Sequence, residues 1–221
     1  MRRIVGCVFQ SLDGVMQAPG GPDEDPTGGF RFGGWQFAFS DTAADSAIER
    51  QCTPPFAMLL GRRTYDIFAS YWPYVEGKPA SLGGLFTKAD KFVLTHGTEP
   101  LEWENSHRLG GIDAIAALKD SDGPELRIWG SSSLYPLLLG AGLLDRLILL
   151  TYPLVLGKGK RLFADGTAPI TFAVRDHAFG TGGVALATLD PAGEVRVGAS
   201  PAAPPNPRES ARQINISEGT W

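Results

Sequence analysis

The sequence predicts an α/β fold: a mixed, mostly parallel central sheet that ends in antiparallel strands. Two observations carry this. Over the first two thirds of the 221 residues, short apolar runs alternate with stretches of helical spacing. From Asp145 onward the helical spacing is lost and the chain becomes strand-rich. A chain of this length buries a core without staples, and 43% apolar with 20% charged residues is ordinary for a globular protein.

The first strand is residues 4–10 ("IVGCVFQ"), whose continuous apolar character implies cover on both faces. "SLDG" then turns the chain. Residues 17–39 are rich in Gly and Pro yet carry Phe30, Phe32, Trp35, Phe37 and Phe39. Such a loop is a lid, a pocket wall, or a loop folded onto the core. Ser40 is placed to cap a helix over 41–52, with Ala44, Ala47, Ile48 and Gln51 on one face. "FAMLLG" is the next strand, "TYDIFASYW" a short helix closing before Pro73, and "KFVLTHG" a third strand. "GIDAIAALKD" is a helix ended by the "DSDGPE" turn, "LRIWG" a fourth strand, and "SSSLYPLLLGAG" a helix. In that helix Ser133 is the expected cap, and Gly140 and Gly142 end it. "DRLILLTYPLVLG" is β-rich, and "ITFAVRDHAF" with "GVALATLD" forms a hairpin around "GTGG". Residues 198–221 are Pro-rich and polar and read as a tail outside the core.

Composition narrows the function. Net charge is -4, from 20 basic and 24 acidic residues, which does not fit a nucleic-acid footprint. Two cysteines and three histidines form no metal-ligand pattern, and Cys7 reads as a small core residue. So few cysteines fit a reducing cytoplasm. The N-terminus reads as a mature strand rather than a signal peptide. No apolar stretch is long enough to span a bilayer, so neither a membrane nor a nucleic acid is expected as a partner.

The chemistry is suggested by three strand ends. "AMLL" is followed by Gly61-Arg62-Arg63-Thr64, "FVL" by Thr95-His96-Gly97, and "RIW" by Gly130-Ser131-Ser132-Ser133. Ligands of open α/β sheets bind at the carboxyl ends of strands. Two of these ends lead into helices, whose free N–H groups attract anions. Arginine adds planar cationic forks suited to phosphate. Together the three ends suggest a ligand with several phosphates, such as a dinucleotide, although neither GxGxxG nor a P-loop is present.

In order along the chain, "SLDG", "LLGRRTYDIF", "KFVLTHG", "WGSSSLYPLLLGAGLLDRLIL" and "YPLVLGKGKRLF" resemble the dihydrofolate-reductase-like superfamily, and within it the RibD C-terminal reductase domain of riboflavin biosynthesis and its stand-alone bacterial relatives. The resemblance covers about residues 3–190. It implies a three-layer α/β/α reductase domain over 1–197, a homodimer, and NADPH-dependent hydride transfer to a small heterocyclic or carbonyl substrate, similar to 5-amino-6-(5-phosphoribosylamino)uracil reductase. A non-catalytic nucleotide-binding protein of the same fold and a true dihydrofolate reductase are the alternatives.

Carried onto this sequence, the resemblance gives Gly61, Arg62, Arg63 and Thr64 the pyrophosphate and 2′-phosphate region. Thr95 and His96 fall near the adenosine. Gly130, Ser131, Ser132, Ser133 and Leu134 line the other side of the pyrophosphate, and Val8, Val15 and Met16 flank the nicotinamide. Ser131 stands where the family has a second glycine, so a positive φ there would cost more.

On the substrate side Asp13 is the first candidate acid, or else a turn aspartate bonding its own backbone. Asp41 and Asp45 follow, because dihydrofolate reductases carry an acid on this helix; Asp41 otherwise pairs with the helix dipole. Trp35, Phe37, Phe68 and Trp72 are suited either to stacking on a flat substrate or to the core. Lys158, Lys160 and Arg161 meet a substrate phosphate or form a solvated turn.

Overall fold

Eight strands form a single sheet in the computed structural model, which describes residues 1–75, 82–198 and 206–220. In chain order they are β1 (Ile4–Ser11), β2 (Phe56–Gly61), β3 (Lys91–Leu94), β4 (Ser106–Leu109), β5 (Glu125–Trp129), β6 (Arg146–Tyr152), β7 (Phe172–Phe179) and β8 (Ala185–Pro191). Their order across the sheet is β4-β3-β2-β5-β1-β6-β8-β7. All pairs from β4 to β6 are parallel, and β8 runs antiparallel to both β6 and β7. The mixed sheet with late antiparallel strands is therefore present.

The central strands are apolar throughout because each face has its own core. Along β2, Phe56, Met58 and Leu60 join one cluster while Ala57 and Leu59 join the other, as the two-residue strand period requires. The first cluster packs against α1 (Thr42–Gln51), α2 (Arg62–Ala69) and α3 (Leu82–Lys88) through Ala44, Ala47, Tyr65 and Phe86. The second packs against α4 (Ile112–Asp120) and α5 (Leu134–Gly140) through Ile115, Leu134, Tyr135 and Leu138. The result is a three-layer α/β/α arrangement. Gly6 of β1 is where α5 comes closest: a Cβ there would lie 2.5 Å from the Tyr135 ring.

Several boundaries differ from expectation. The cap of α1 is Asp41, not Ser40; its carboxylate accepts from the N–H groups of Ala43 and Ala44 at 3.1 Å. Helix α2 starts at Arg62, two residues early, so both arginines lie in its first turn. Ser133 precedes α5 but makes no side-chain cap bond. β4 and α3 were not expected. The tail holds a further helix, α6 (Pro207–Ser217), capped by Asn206 and without a buried residue; residues 199–205 and 221 of the tail lie outside the described residues. No helix among the described residues is long and apolar enough to cross a membrane.

Candidate active site

Because β5 lies between β2 and β1, the carboxyl ends of these three strands are neighbours. Cys7 of β1 is in register with Trp129, the last residue of β5. A cleft of about 1140 Å³ opens over these ends. Its lining has two poles of different chemistry.

The polar pole is made by two turns. Gly61-Arg62-Arg63-Thr64 leads from β2 into α2, and Gly130-Ser131-Ser132-Ser133 leads from β5 to α5; both stretches line the cleft. Gly61 caps α2 without a side-chain bond, so the first-turn N–H groups keep their capacity for an anion. Gly130 and Ser131 both have φ +54°, and a Cβ at Gly130 would lie 3.2 Å from Thr64. The turns are tied directly. Ser131 N–H donates to Thr64 Oγ1 at 2.9 Å, and Gly61 N–H donates to Ser131 Oγ at 2.9 Å.

The arginines diverge. Arg62 binds both carboxylate oxygens of Asp66 through Nε and reaches the Glu99 carbonyl at 3.1 Å, beyond the end of β3. Arg63 donates to Thr27 Oγ1 at 2.7 Å, on the 17–39 loop. Lys160 joins that group through Asp25 and Thr27. Burial alone would raise the Asp25 carboxyl, but hydrogen bonds from Lys160 and Thr27 and the lysine charge hold it below the ordinary value. Glu24 on the same loop is pushed up by burial.

The apolar pole is a chain of rings. Tyr71 packs on Trp72 at 5.1 Å, Trp72 on Phe86 at 5.0 Å, Phe86 on Trp129 at 5.7 Å and Trp129 on Phe9 at 6.4 Å, while Phe68 stacks on Phe86 at 5.9 Å. Cys7, Cys52 and Ile48 complete the floor. Burial raises both thiols, Cys52 to about 11, so neither is a thiolate at neutral pH.

Two strand-to-helix turns opening onto an apolar floor are joined by a sequence match. Residues 2–181 match the RibD C-terminal domain. The chain belongs to that family. A solved protein of Shewanella sp. PV-4, named on the expectation of a role in riboflavin biosynthesis, is 21% identical with TM-score 0.55, over 86% of this chain and 99% of its own. Enterococcus faecalis dihydrofolate reductase, solved with NADP(H) and RAB-propyl, is 14% identical with TM-score 0.55, over 86% of this chain and 96% of its own. At these identities the likeness concerns the fold alone. The uncharacterized protein YyaP of Bacillus subtilis (strain 168) is 28% identical over 111 residues, 49% of this chain and 59% of that protein.

Set against the family's pattern, the expected residues divide. Met16, Phe37, Phe68 and Trp72 line the cleft with the two turns. Val8 and Leu134 are buried in the opposite core, and Val15 is enclosed beside Arg161. Thr95 is buried and His96 exposed at the end of β3; neither lines the cleft. Trp35 is a core ring, edge-on to Tyr152, with its indole N–H on the Gln17 carbonyl at 2.8 Å.

Asp13 and Asp41 also lie off the lining. Asp13 clamps the first turn to the 156–161 segment, accepting from Ser11, Leu156 N–H and Gly157 N–H. Burial would raise it, yet these bonds outweigh burial and bring its pKa down to about 2. Asp41 ties α1 to the β7–β8 hairpin by accepting from Gly182 N–H at 2.8 Å. Both are acceptors already committed to backbone donors. Arg161 is occupied by Asp13. Sequence reasoning passed over Trp129, Phe86, Gln36 and Lys160's partner Asp25. For Trp129 a signal existed: an aromatic residue closing an apolar strand immediately before the Gly-Ser turn.

Proposed function

We propose that this protein is an NADPH-dependent reductase of a small heterocyclic or carbonyl compound. One observation carries the reading: two strand-to-helix turns, neither closed by a helix-capping side chain, and a pair of arginines share a single cleft with an aromatic floor. The Gly61–Thr64 and Gly130–Ser133 turns would hold the pyrophosphate. Arg62, turned toward the residues after β3, would read the 2′-phosphate, with Thr95 and His96 on that side. Met16 and Phe9 would border the nicotinamide. When bound, that ring supplies a hydride, and the substrate takes up one proton, so that a C=N or C=O bond becomes CH–NH or CH–OH.

The rings of the floor orient a flat substrate and exclude water. Of the acids lining the cleft, Asp25 is engaged by Lys160 and Thr27, whereas Glu24 is raised by burial, which outweighs the hydrogen bond its carboxylate accepts from Gly20 N–H; we assign delivery of the proton to Glu24. Asp13 and Asp41 act as positioning residues for the walls. The exposed edge strand β7, with Val174 and Phe179 in solvent, is offered for the homodimer.

The test is a thermal-shift titration with NADPH and NADH. A larger shift with NADPH is expected, and no shift with either at millimolar concentration sinks the reading. A second reading, nucleotide binding without turnover, is favoured by Ser131: its hydroxyl already occupies the Gly61 N–H that a phosphate would use. Binding without NADPH oxidation across a panel of carbonyls and imines would select it.

A further inference from the structure

Arg62 does not stand alone beyond the end of β3. Its Nη1 donates to the Glu99 carbonyl at 3.1 Å, and Arg108 of β4 donates to the same carbonyl through Nη2. Arg108 also donates through Nη1 to the Gly97 carbonyl. β4 pairs with β3 in parallel, with Arg108 in register with Val93, close to where the chain leaves β3. Arg63, the sequence neighbour of Arg62, is turned instead to Thr27 and Asp25. The cation that shares a partner with Arg62 is thus Arg108, remote in sequence.

Two guanidinium groups on one carbonyl oxygen repel each other unless an anion joins them. Asp66 takes the Nε of Arg62. The Glu99 carboxylate lies 3.7 Å from Arg62 Nη1, on a side chain that is 70% exposed. It folds back over Gly97, where a Cβ would meet it. Arg62 Nη2 and Arg108 Nε have no partner among the described residues. His96, Glu99 and Arg108 are all exposed, so a ligand has access. The place where the two arginines converge therefore holds a weakly engaged carboxylate and two unused N–H edges.

We propose that Arg62 and Arg108 form a phosphomonoester site, that its occupant is the 2′-phosphate of the cofactor, and that the Glu99 carboxylate competes for it and swings out on binding. Arg108 is then a specificity-determining residue for NADPH over NADH. A dianion with three acceptor oxygens matches two planar forks better than one carboxylate does. An exposed ion pair as long as that of Glu99 is weak, so its displacement is easy. This rests on the dinucleotide reading for the identity of the ligand, but not for the phosphate site itself.

Calorimetric titration with NADPH, NADH, adenosine 2′-monophosphate and adenosine 5′-monophosphate tests the idea. Wild-type protein is expected to bind the 2′-monophosphate more tightly than the 5′-monophosphate. Arg108→Gln keeps a donor for the turn but removes the charge. It should lose about tenfold for NADPH and the 2′-monophosphate, the size of one charge-assisted hydrogen bond, and leave NADH unchanged. Glu99→Gln should move the other way, tightening NADPH several-fold. The double variant Arg62→Ala/Arg108→Gln should bind NADPH more weakly than Arg62→Ala alone. Equality of those two would mean that Arg108 only holds the turn on which Arg62 rests, and overturns the proposal. So does a folded Arg108→Gln with wild-type NADPH affinity, or a Glu99→Gln that binds NADPH no better. Glu99→Gln alters an exposed side chain and decides the matter even where Arg108→Gln does not fold. A preference for NADPH that ignores Arg108 and Glu99 leaves the dinucleotide reading standing and removes this one. Binding of the 2′-monophosphate that is lost in Arg108→Gln, without NADPH binding, supports the phosphate site and removes the dinucleotide reading instead.

Discussion

The two poles of the cleft are built in different ways. The polar pole comes from two short turns, each contiguous in sequence, and on the proposed reading it would hold its ligand mainly through backbone N–H groups and cations beside a helix start. The aromatic pole draws Phe9, Phe68, Tyr71, Trp72, Phe86 and Trp129 from β1, α2 and its exit, α3 and β5. A backbone cradle leaves a local signature of small residues, hydroxyls and arginines after an apolar run. A wall of rings leaves none, because each ring alone reads as core. The difference teaches that one half of a site is legible as a motif while the other exists only after folding.

The poles should respond separately to mutation. The largest effect is expected from Phe86→Ala, at the centre of the ring chain and 2% exposed. It should cost about 3–5 kcal/mol of stability, seen in urea unfolding, while the folded fraction keeps its NADPH affinity. Loss of NADPH binding by folded Phe86→Ala would show that the poles are not separable.

Gly130→Ala strikes the other pole. Alanine at φ +54° is strained by about 1–2 kcal/mol, and its Cβ would press on Thr64 at 3.2 Å. About tenfold weaker NADPH binding is expected in calorimetry. Ser131→Gly runs in the opposite direction. It relieves a non-glycine residue at φ +54° and frees the Gly61 N–H. NADPH affinity should rise several-fold; a fall would mean that the Ser131 hydroxyl contributes to the ligand site rather than obstructing it.

The smallest effect concerns Asp13, which braces the wall but does not line it. Its carboxyl titrates at about 2 in the folded chain, below the ordinary value near about 3.9. The stability it contributes is complete above the unfolded value and is lost as pH falls through about 2. Asp13→Asn should therefore show a shallower loss of urea midpoint between pH 4 and pH 2 than wild type. Identical acid profiles would remove the brace.

Most of the sheet was legible because β1, β2 and β5 are continuous apolar runs bounded by turn residues. β4 was not, since only Leu109 of "SHRL" is buried. Nor was α3, whose two glycines speak against a helix; Gly83 is there because a Cβ would lie 2.6 Å from the Trp72 carbonyl. The helix α6 did carry a signal, Asn206 followed by Pro207, but the Pro-rich stretch before it masked the pattern. Asp41 shows how a one-residue shift of a helix start changes a side chain's role: as the cap its carboxylate is consumed by backbone N–H groups, whereas one position inward it would have stood in the first turn with the capping left to Ser40.

The central claim is that the Gly61–Thr64 turn reads a dinucleotide carrying a 2′-phosphate, with Arg62 as the reader. The most direct measurement is the dissociation constant of NADPH and of NADH for wild type and Arg62→Ala. The account predicts tighter NADPH binding by wild type and a loss of about tenfold or more for NADPH alone in the variant, as charge-assisted hydrogen bonds are worth about 1.5–3 kcal/mol. Equal affinities in wild type, or a preference that survives Arg62→Ala undiminished, would contradict it.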